Sequence, residues 1–397
     1  MPQGYSETTI TGYDVENDLP FDDFSLAYHL GMRNKVLWYT IVAPVKDRYH
    51  VFKIPKKKGG FRTIHAPEPL MKALMKILNK TFLEPLHRQL GGHVTAYRTG
   101  QSIKDAVARH IAPCLVCDNN GDPSYTPPKH RCPRRGAYIQ IDLQDFFSTT
   151  SKSKVRNYFK SLGYPHETAS LLGGMFTVSG IPNSHYVPGS TAPPYFCGVP
   201  QGNPTAGSIC NLVADRVLDI PMLQLLESMN QQYGLEGAYR WVYSRYADDL
   251  SFTCGRDFPL PEKERILWRL YQVIYAAGYQ PNTGKTKTHS ENFRKQMLGL
   301  VFNQRPNIAR HDYLQIKAIV HNCFVWGADT QYERAGFNDV QTFITWLKGK
   351  LNYYRHIMPT KGAKLAKELE LALDHGKTLL DSSDGGERIS TSPGLFD

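Results

Sequence analysis

The sequence predicts an α+β fold, an antiparallel sheet flanked by helices, from three observations. Residues 241–253, Trp-Val-Tyr-Ser-Arg-Tyr-Ala-Asp-Asp-Leu-Ser-Phe-Thr, place aromatic and β-branched runs on both sides of a break at Ala247-Asp248-Asp249. That pattern reads as two strands joined by a tight turn with the acids at its tip. Residues 49–67 read likewise as a strand, a basic Gly-Gly turn and a second strand. Several long segments space their apolar residues at helical period.

Taken in order, residues 1–20 are polar, and Phe21, Phe24, Leu26, Leu30, Met32 and Leu37 suit short helices. In the 49–67 hairpin, Lys56, Lys57, Lys58 and Arg62 could close over a triphosphate; the alternative is a solvated basic turn. Leu70, Met71, Leu74, Ile77, Leu78 and Leu83 predict a buried helix over 68–90, its apolar stripe core rather than a cofactor box. Residues 111–136 look inserted, with Cys114-x-x-Cys117 followed by His130-Arg-Cys132. Zinc sites use such cysteine pairs. Cys114, Cys117 and Cys132 with His130 or His110 as fourth ligand would hold Zn²⁺; reduced structural cysteines are the alternative.

An apolar run at Tyr138–Phe147 carries Asp142 and Asp145 before two aromatics. Residues 151–185 read as helices, with Val155, Tyr158, Phe159 and Leu162 on one face, and 186–196 as Pro- and Gly-rich loop. Ala206–Leu225 predicts a long helix, Glu262–Ala277 an amphipathic one, and 311–375 further helices. Within 342–358, Lys348, Lys350, Arg355 and His356 stand beside Trp346, Tyr353 and Tyr354. Cations interleaved with aromatics suit a surface that tracks a nucleic-acid duplex; a solvated basic face over a core stripe is equally compatible.

Any Asp-Asp pair taken alone is commonly a solvated turn. Here Asp142 joins Asp248 and Asp249, and three carboxylates at strand ends suit hard divalent cations such as Mg²⁺. Two such ions can activate an attacking oxygen and stabilise the leaving one, which implies nucleotidyl transfer.

Tyr246-Ala-Asp-Asp249, Ile141–Phe147 and Val199-Pro-Gln-Gly-Asn-Pro-Thr-Ala-Gly207 together resemble, in order and spacing, the boxes of reverse transcriptases over roughly residues 50–305. Asp249-Leu-Ser-Phe-Thr and Gln-Gly-Asn-Pro-Thr look most like the bacterial retron type. The resemblance implies a right-hand polymerase: an N-terminal helical extension (1–45), fingers (46–110), the cysteine insertion (111–136), a palm (137–305), a helical thumb (306–378) and a flexible tail (379–397). It implies Asp142, Asp248 and Asp249 as catalytic ligands of two Mg²⁺ ions. Lys58, Arg62, Asp145, Phe146, Phe147, Gln201, Gly202 and Lys285 would meet the nucleotide, Arg62 touching it, Phe147 beneath the sugar and Lys285 assisting release of pyrophosphate. Tyr97, Arg98, Lys348, Lys350, Tyr354 and Arg355 would meet nucleic acid, Tyr97 and Arg98 near the template. Gly202 would let the backbone approach the nucleotide closely. Two segments depart from the retron pattern: Asp105-Ala-Val-Ala-Arg-His110 stands where Asn-Ala-x-x-His is common, and Met297-Leu-Gly299 where Val-Thr-Gly is.

With 47 Lys and Arg against 36 Asp and Glu, the net charge of +11 favours a polyanionic partner. The polar N-terminus and the lack of an 18-residue apolar run predict a cytoplasmic protein without membrane contact. Seven cysteines, an odd number, argue against a disulfide framework. The expected function is RNA-directed synthesis of single-stranded DNA from dNTPs on a structured non-coding RNA that serves as template and primer, inside an anti-phage system with an effector protein. The alternatives are a defence polymerase using another template or none, and a non-catalytic RNA-binding relative, against which the intact Asp142, Asp248 and Asp249 argue. The chain after the thumb is too short for an RNase H domain, so template removal is expected to fall to a host enzyme.

Overall fold

A computed structural model describes residues 22–55, 61–111, 136–183, 194–303 and 305–382. The chain forms two compact units, one of residues 1–113 and 135–293, the other of 114–134 and 294–397.

The first unit opens with α1 (Asp23–His29), α2 (Asn34–Val42) and the short α3 (Val45–Arg48). Asp22 and Ser25 cap α1 reciprocally, each side chain bonding the other's backbone N–H. β1 (Tyr49–Pro55) and β2 (Phe61–Pro67) then pair antiparallel, Tyr49 opposite Pro67 and Pro55 opposite Phe61. Pro69 starts α4 (Pro69–Leu78), which buries Met71, Met75 and Leu78. The predicted stripe was too wide: Leu70 and Ile77 are 57% and 56% exposed, because they sit seven residues apart on the opposite face. A π-helical turn, Asn79–Leu83, leads into α5 (Glu84–Arg88), and α6 (Ile103–Ala108) is capped by Ser102 and Asp105.

β3 (Ala137–Gln144) is the centre of the main sheet, with β7 (Asp249–Cys254) on one side and β8 (Gln280–Pro281) and β9 (Lys287–His289) on the other. β6 (Val242–Tyr246) pairs with the outer side of β7, and every pairing is antiparallel. After a helical turn α7 (Phe146–Thr149), helices α8 (Lys152–Ser161) and α9 (His166–Phe176) follow as predicted. The expected helix gives way at Val178 to β4 (Val178–Pro182), which pairs antiparallel with β5 (Tyr195–Gly198); residues 184–193, most of the expected loop, lie outside the described residues. Val178, Ile181 and Gly198 are buried there, and the three-residue spacing of Val178 and Ile181 is reconciled with one buried face by a register shift between them.

The long helix expected from Ala206 runs to Gln232, interrupted by a π-turn: α10 (Ala206–Ala214), the turn Asp215–Asp219, and α11 (Ile220–Gln232). Both π-turns directly precede a segment with proline in its first turn, Pro85 or Pro221. Proline has no N–H and its ring collides with the carbonyl four residues back, so a locally widened helix accommodates it. α12 (Leu260–Ala276) completes the unit, whose core runs continuously from Leu26 to Tyr279.

The second unit begins with a three-stranded antiparallel ribbon, β10 (Gln296–Met297), β11 (Leu300–Val301) and β12 (Asn307–Ile308). Helices α13 (Arg310–Trp326), α14 (Val340–Ile357) and α15 (Pro359–Ser382) follow. Ile316, Val320, Phe343, Leu347, Leu351, Leu365 and Leu369 are its buried side chains at helical spacing. α15 continues to Ser382, past the expected start of the tail at 379, because nothing in its sequence breaks the helix there.

Candidate active site

Register brings the acids together. In the β3–β7 ladder Asp142 stands directly opposite Asp249, and the two residues between the last β6–β7 pair, Tyr246 and Asp249, are Ala247 and Asp248. Ala247 takes φ 56°, the left-handed conformation that such a turn ordinarily gives to glycine. Its neighbours hold it there. The Asp248 carbonyl accepts from Leu143 N–H at 2.9 Å, and the Ala247 carbonyl accepts from Arg245 Nη1 at 3.3 Å.

The carboxylates repel one another. Burial and the Asp248 and Asp142 charges push the Asp249 carboxyl up to about 6, and burial followed by Asp142 raises Asp248. Lys285 relieves part of this, its Nζ lying 2.9 and 3.1 Å from the two oxygens of Asp142. A cationic side chain already drawn to Asp142, and an all-oxygen donor set that is electrostatically costly alone, fit a hard divalent cation held by Asp142, Asp248 and Asp249.

Asp142 and Asp248 open on a cleft of about 1340 Å³, whose walls include Arg62, Tyr97, Asp145, Phe146, Phe147, Gln201, Gly202 and Lys285. β3 ends at Gln144; Asp145 turns the chain at φ 47° and its carbonyl accepts from Thr149 N–H at 2.8 Å. Phe146 and Phe147 therefore diverge on a helical turn rather than alternating along a strand. Phe146 is 2% exposed and packs on Tyr279 and Arg245, so it belongs chiefly to the core, whereas Phe147 is half-buried. At Gly202, φ is 110° and a Cβ would stand 2.8 Å from the His65 carbonyl, so the close approach this glycine permits is to β2. His65 N–H donates to the Gln201 carbonyl at 2.7 Å in the same contact.

Other predicted site residues are placed as follows. Arg98, partly exposed, bonds the carbonyls of Gly91, Val94 and Arg88 and so braces its own loop. His110 is fully buried, with Nδ1 2.9 Å from Thr253 Oγ1 and Nε2 2.7 Å from Ser244 Oγ; with both ring nitrogens engaged by the sheet it is unsuited as a zinc ligand. Lys58, Cys114, Cys117, His130 and Cys132 lie outside the described residues. In the second unit Lys348, Lys350 and Arg355 are exposed, but Tyr354 is 4% exposed and its hydroxyl donates to the Asp312 carbonyl at 3.1 Å, which makes it core.

Sequence reasoning missed what lies under the Ala247-Asp248 turn. Arg245, fully buried, meets Asp219 through Nε at 2.9 Å and Nη2 at 2.7 Å and donates from Nη1 to Asn211 Oδ1 at 2.8 Å. Tyr243 donates to Asp219 at 2.6 Å, and Asn211 Nδ2 bonds His87 Nε2 and the Ala96 carbonyl at 2.9 and 2.8 Å. The available signal was an arginine inside a strand and an aspartate inside an apolar helix, since such residues are buried only when paired. His93, Asp215 and Asp219 also cluster closely enough to suggest a metal, but Asp219 is already neutralised by Arg245. A cation there would have to displace the guanidinium.

A sheet carrying three acids, a strand hairpin and an aromatic-walled cleft define a polymerase palm with its fingers. The reverse transcriptase (RNA-dependent DNA polymerase) family matches residues 54–302, and the chain belongs to it. It is an RNA-directed DNA polymerase with the right-hand fold of that family, and within it is of the bacterial retron type. The Retron Mx65 reverse transcriptase of Myxococcus xanthus is 27% identical over 355 residues, covering 86% of this chain and 70% of the relative. The Retron Ec86 reverse transcriptase of Escherichia coli is 25% identical, covering 79% and 80%. Among solved structures, telomerase from Candida tropicalis in complex with a TWJ fragment of telomeric RNA aligns at 12% identity and TM-score 0.45, over 86% of this chain and 55% of that one. Among the described residues no helix is long and apolar enough to cross a membrane.

Proposed function

We propose that this reverse transcriptase copies part of a dedicated structured RNA into single-stranded DNA, with Asp142, Asp248 and Asp249 holding two Mg²⁺ ions. The observation that carries this is the register of Asp142 opposite Asp249 beside the Asp248 turn, with Asp142 and Asp248 lining a cleft wide enough for a nucleotide. When bound, the ions would activate the attacking 3′ oxygen and stabilise the leaving pyrophosphate. The chain's own groups have distinct tasks. Arg62, on the exposed hairpin, binds triphosphate oxygens with its planar fork. Lys285 exchanges its contact with Asp142 for the departing pyrophosphate. Phe147 lies under the sugar, where a rigid ring leaves no room for a 2′-hydroxyl.

The same reading extends to an anti-phage system in the cytoplasm with an effector protein; its support is the retron type of the polymerase. Recovering the RNA bound to the protein from cells and sequencing the DNA attached to it tests the template. A retron enzyme yields one defined RNA with DNA copied from it, and DNA unrelated to the bound RNA refutes the assignment. For the chemistry, Asp248→Asn and Asp142→Asn each remove a ligand charge with little change in volume. Each should abolish primer extension while RNA binding persists. Extension near the wild-type rate by either variant would sink the assignment.

A further inference from the structure

The Phe147 ring is flanked by a second aromatic wall. Tyr97 meets it edge to face, the ring centroids 6.1 Å apart and the planes at 74°, and both rings line the cleft. Tyr97 is held there at a cost. Its φ is 57°, a left-handed conformation that a bulky residue keeps only when its surroundings impose it.

The imposition is visible on both sides. The Ala96 carbonyl accepts from Asn211 Nδ2 of α10 at 2.8 Å, and Thr95 N–H donates to the Arg245 carbonyl of β6 at 3.2 Å. Arg98 closes the loop on itself through the carbonyls of Gly91 and Val94, at 2.8 and 3.0 Å. Beneath the Tyr97 ring lies Gly207, in the first turn of α10. A Cβ at Gly207 would stand 2.3 Å from Tyr97 Cγ and 2.6 and 2.7 Å from its Cδ atoms, so only glycine lets the ring rest on this helix.

A ring excludes a hydroxyl only while it cannot swing aside. Phe147 is half-buried, with Phe146 on one side, centroids 5.5 Å apart, and Tyr97 on another. We propose that Tyr97 is a positioning residue that fixes Phe147 against the sugar of the incoming nucleotide, with Gly207 as the seat that admits its ring. This rests on Phe147 being the sugar gate.

The test is single-nucleotide incorporation on one RNA template and primer, comparing kcat/KM for a dNTP with that for the matching rNTP. Phe147→Ala should lose the most discrimination. Tyr97→Ala should lose about tenfold, mainly through a lower KM for the rNTP, because a loosened wall admits the extra hydroxyl. Gly207→Ala should act like Tyr97→Ala by displacing the ring, and Tyr97→Phe, which keeps the ring, should restore discrimination. Combining Tyr97→Ala with Phe147→Ala should add nothing to Phe147→Ala alone, since one residue acts through the other. Thermal unfolding of each variant separates misfolding from lost selectivity. Wild-type discrimination in Tyr97→Ala together with weaker template binding overturns the proposal in favour of a template contact. Additive losses in the double variant overturn it while leaving the gate intact. Unchanged discrimination in Phe147→Ala removes the gate, and this inference with it.

Discussion

Arg245 and Asp219, 26 residues apart and both fully buried, form a bidentate ion pair directly beneath the Ala247-Asp248 turn. The same guanidinium reaches the Ala247 carbonyl, so the pair ties a strained turn to the π-turn that carries Asp219. Breaking it should cost about 3–5 kcal/mol, because the surviving charge is left buried without its partner. Asp219→Asn and Arg245→Met are therefore expected to lower the denaturant midpoint sharply. Replacing both, as Arg245→Met with Asp219→Leu, should recover much of the stability but not primer extension, since the Ala247 carbonyl then loses its guanidinium and only the Leu143 N–H to Asp248 carbonyl bond braces the turn. Full activity in a stable double variant would show that the pair serves folding alone.

The network also predicts acid sensitivity. His87 is 4% exposed, and burial, then the nearby Arg98 and Arg245 charges, push it down to about 4. Its Nε2 accepts from Asn211, which requires the neutral ring. Above about pH 6.5 the ring is neutral folded or unfolded, so its contribution is complete there. Between 6.5 and 4 the unfolded chain takes up a proton that the folded one refuses, so stability falls as pH falls, by roughly 3 kcal/mol in all. Unfolding followed across this window should show a shallower acid limb for His87→Gln than for wild type; parallel limbs would contradict the burial of a neutral ring.

Where pattern and period settle a residue's environment, the sequence was legible. The β6–β7 and β1–β2 hairpins and the helices from Ala206 and Leu260 announce themselves through alternation or a 3.6-residue repeat, and Asp142, Asp248 and Asp249 stand out because acids interrupt apolar strands. What was hidden depends on distant partners. Nothing local pairs Arg245 with Asp219, and His110 sits near a cysteine-rich stretch yet bonds residues 134 and 143 positions away. Tyr354 lies among cations in sequence while its side of α14 faces inward. Gly202 could be read as permissive, but not which neighbour it admits.

Gly202 offers a direct check on that last point. Gly202→Ala places a Cβ against the His65 carbonyl and strains a φ of 110°, a backbone conformation that side chains rarely adopt. The loop should lift from β2, raising KM for every dNTP while DNA binding changes little. A variant with wild-type KM would mean that the loop does not set the cleft wall.

The helical unit carries the last prediction. Lys348 and Arg355 are exposed and seven residues apart on α14, so they share one face, whereas Lys350 is turned about 200° away from Lys348. Tyr354 is core, bonded to Asp312 and packed by Tyr313. If the Lys348 face follows the phosphates of a duplex, Lys348→Ala and Arg355→Ala should each reduce the slope of log affinity against log salt by about 0.7 to 0.9 units. Lys350→Ala should change it less. Tyr354→Ala should leave the slope alone and lower stability instead, by about 3–5 kcal/mol if it behaves as other buried aromatics do. Binding to a structured RNA measured from low to moderate salt, alongside thermal unfolding, separates these effects. A salt slope that Lys350→Ala lowers as much as Arg355→Ala would mean that the basic residues act as diffuse charge rather than as one tracking face.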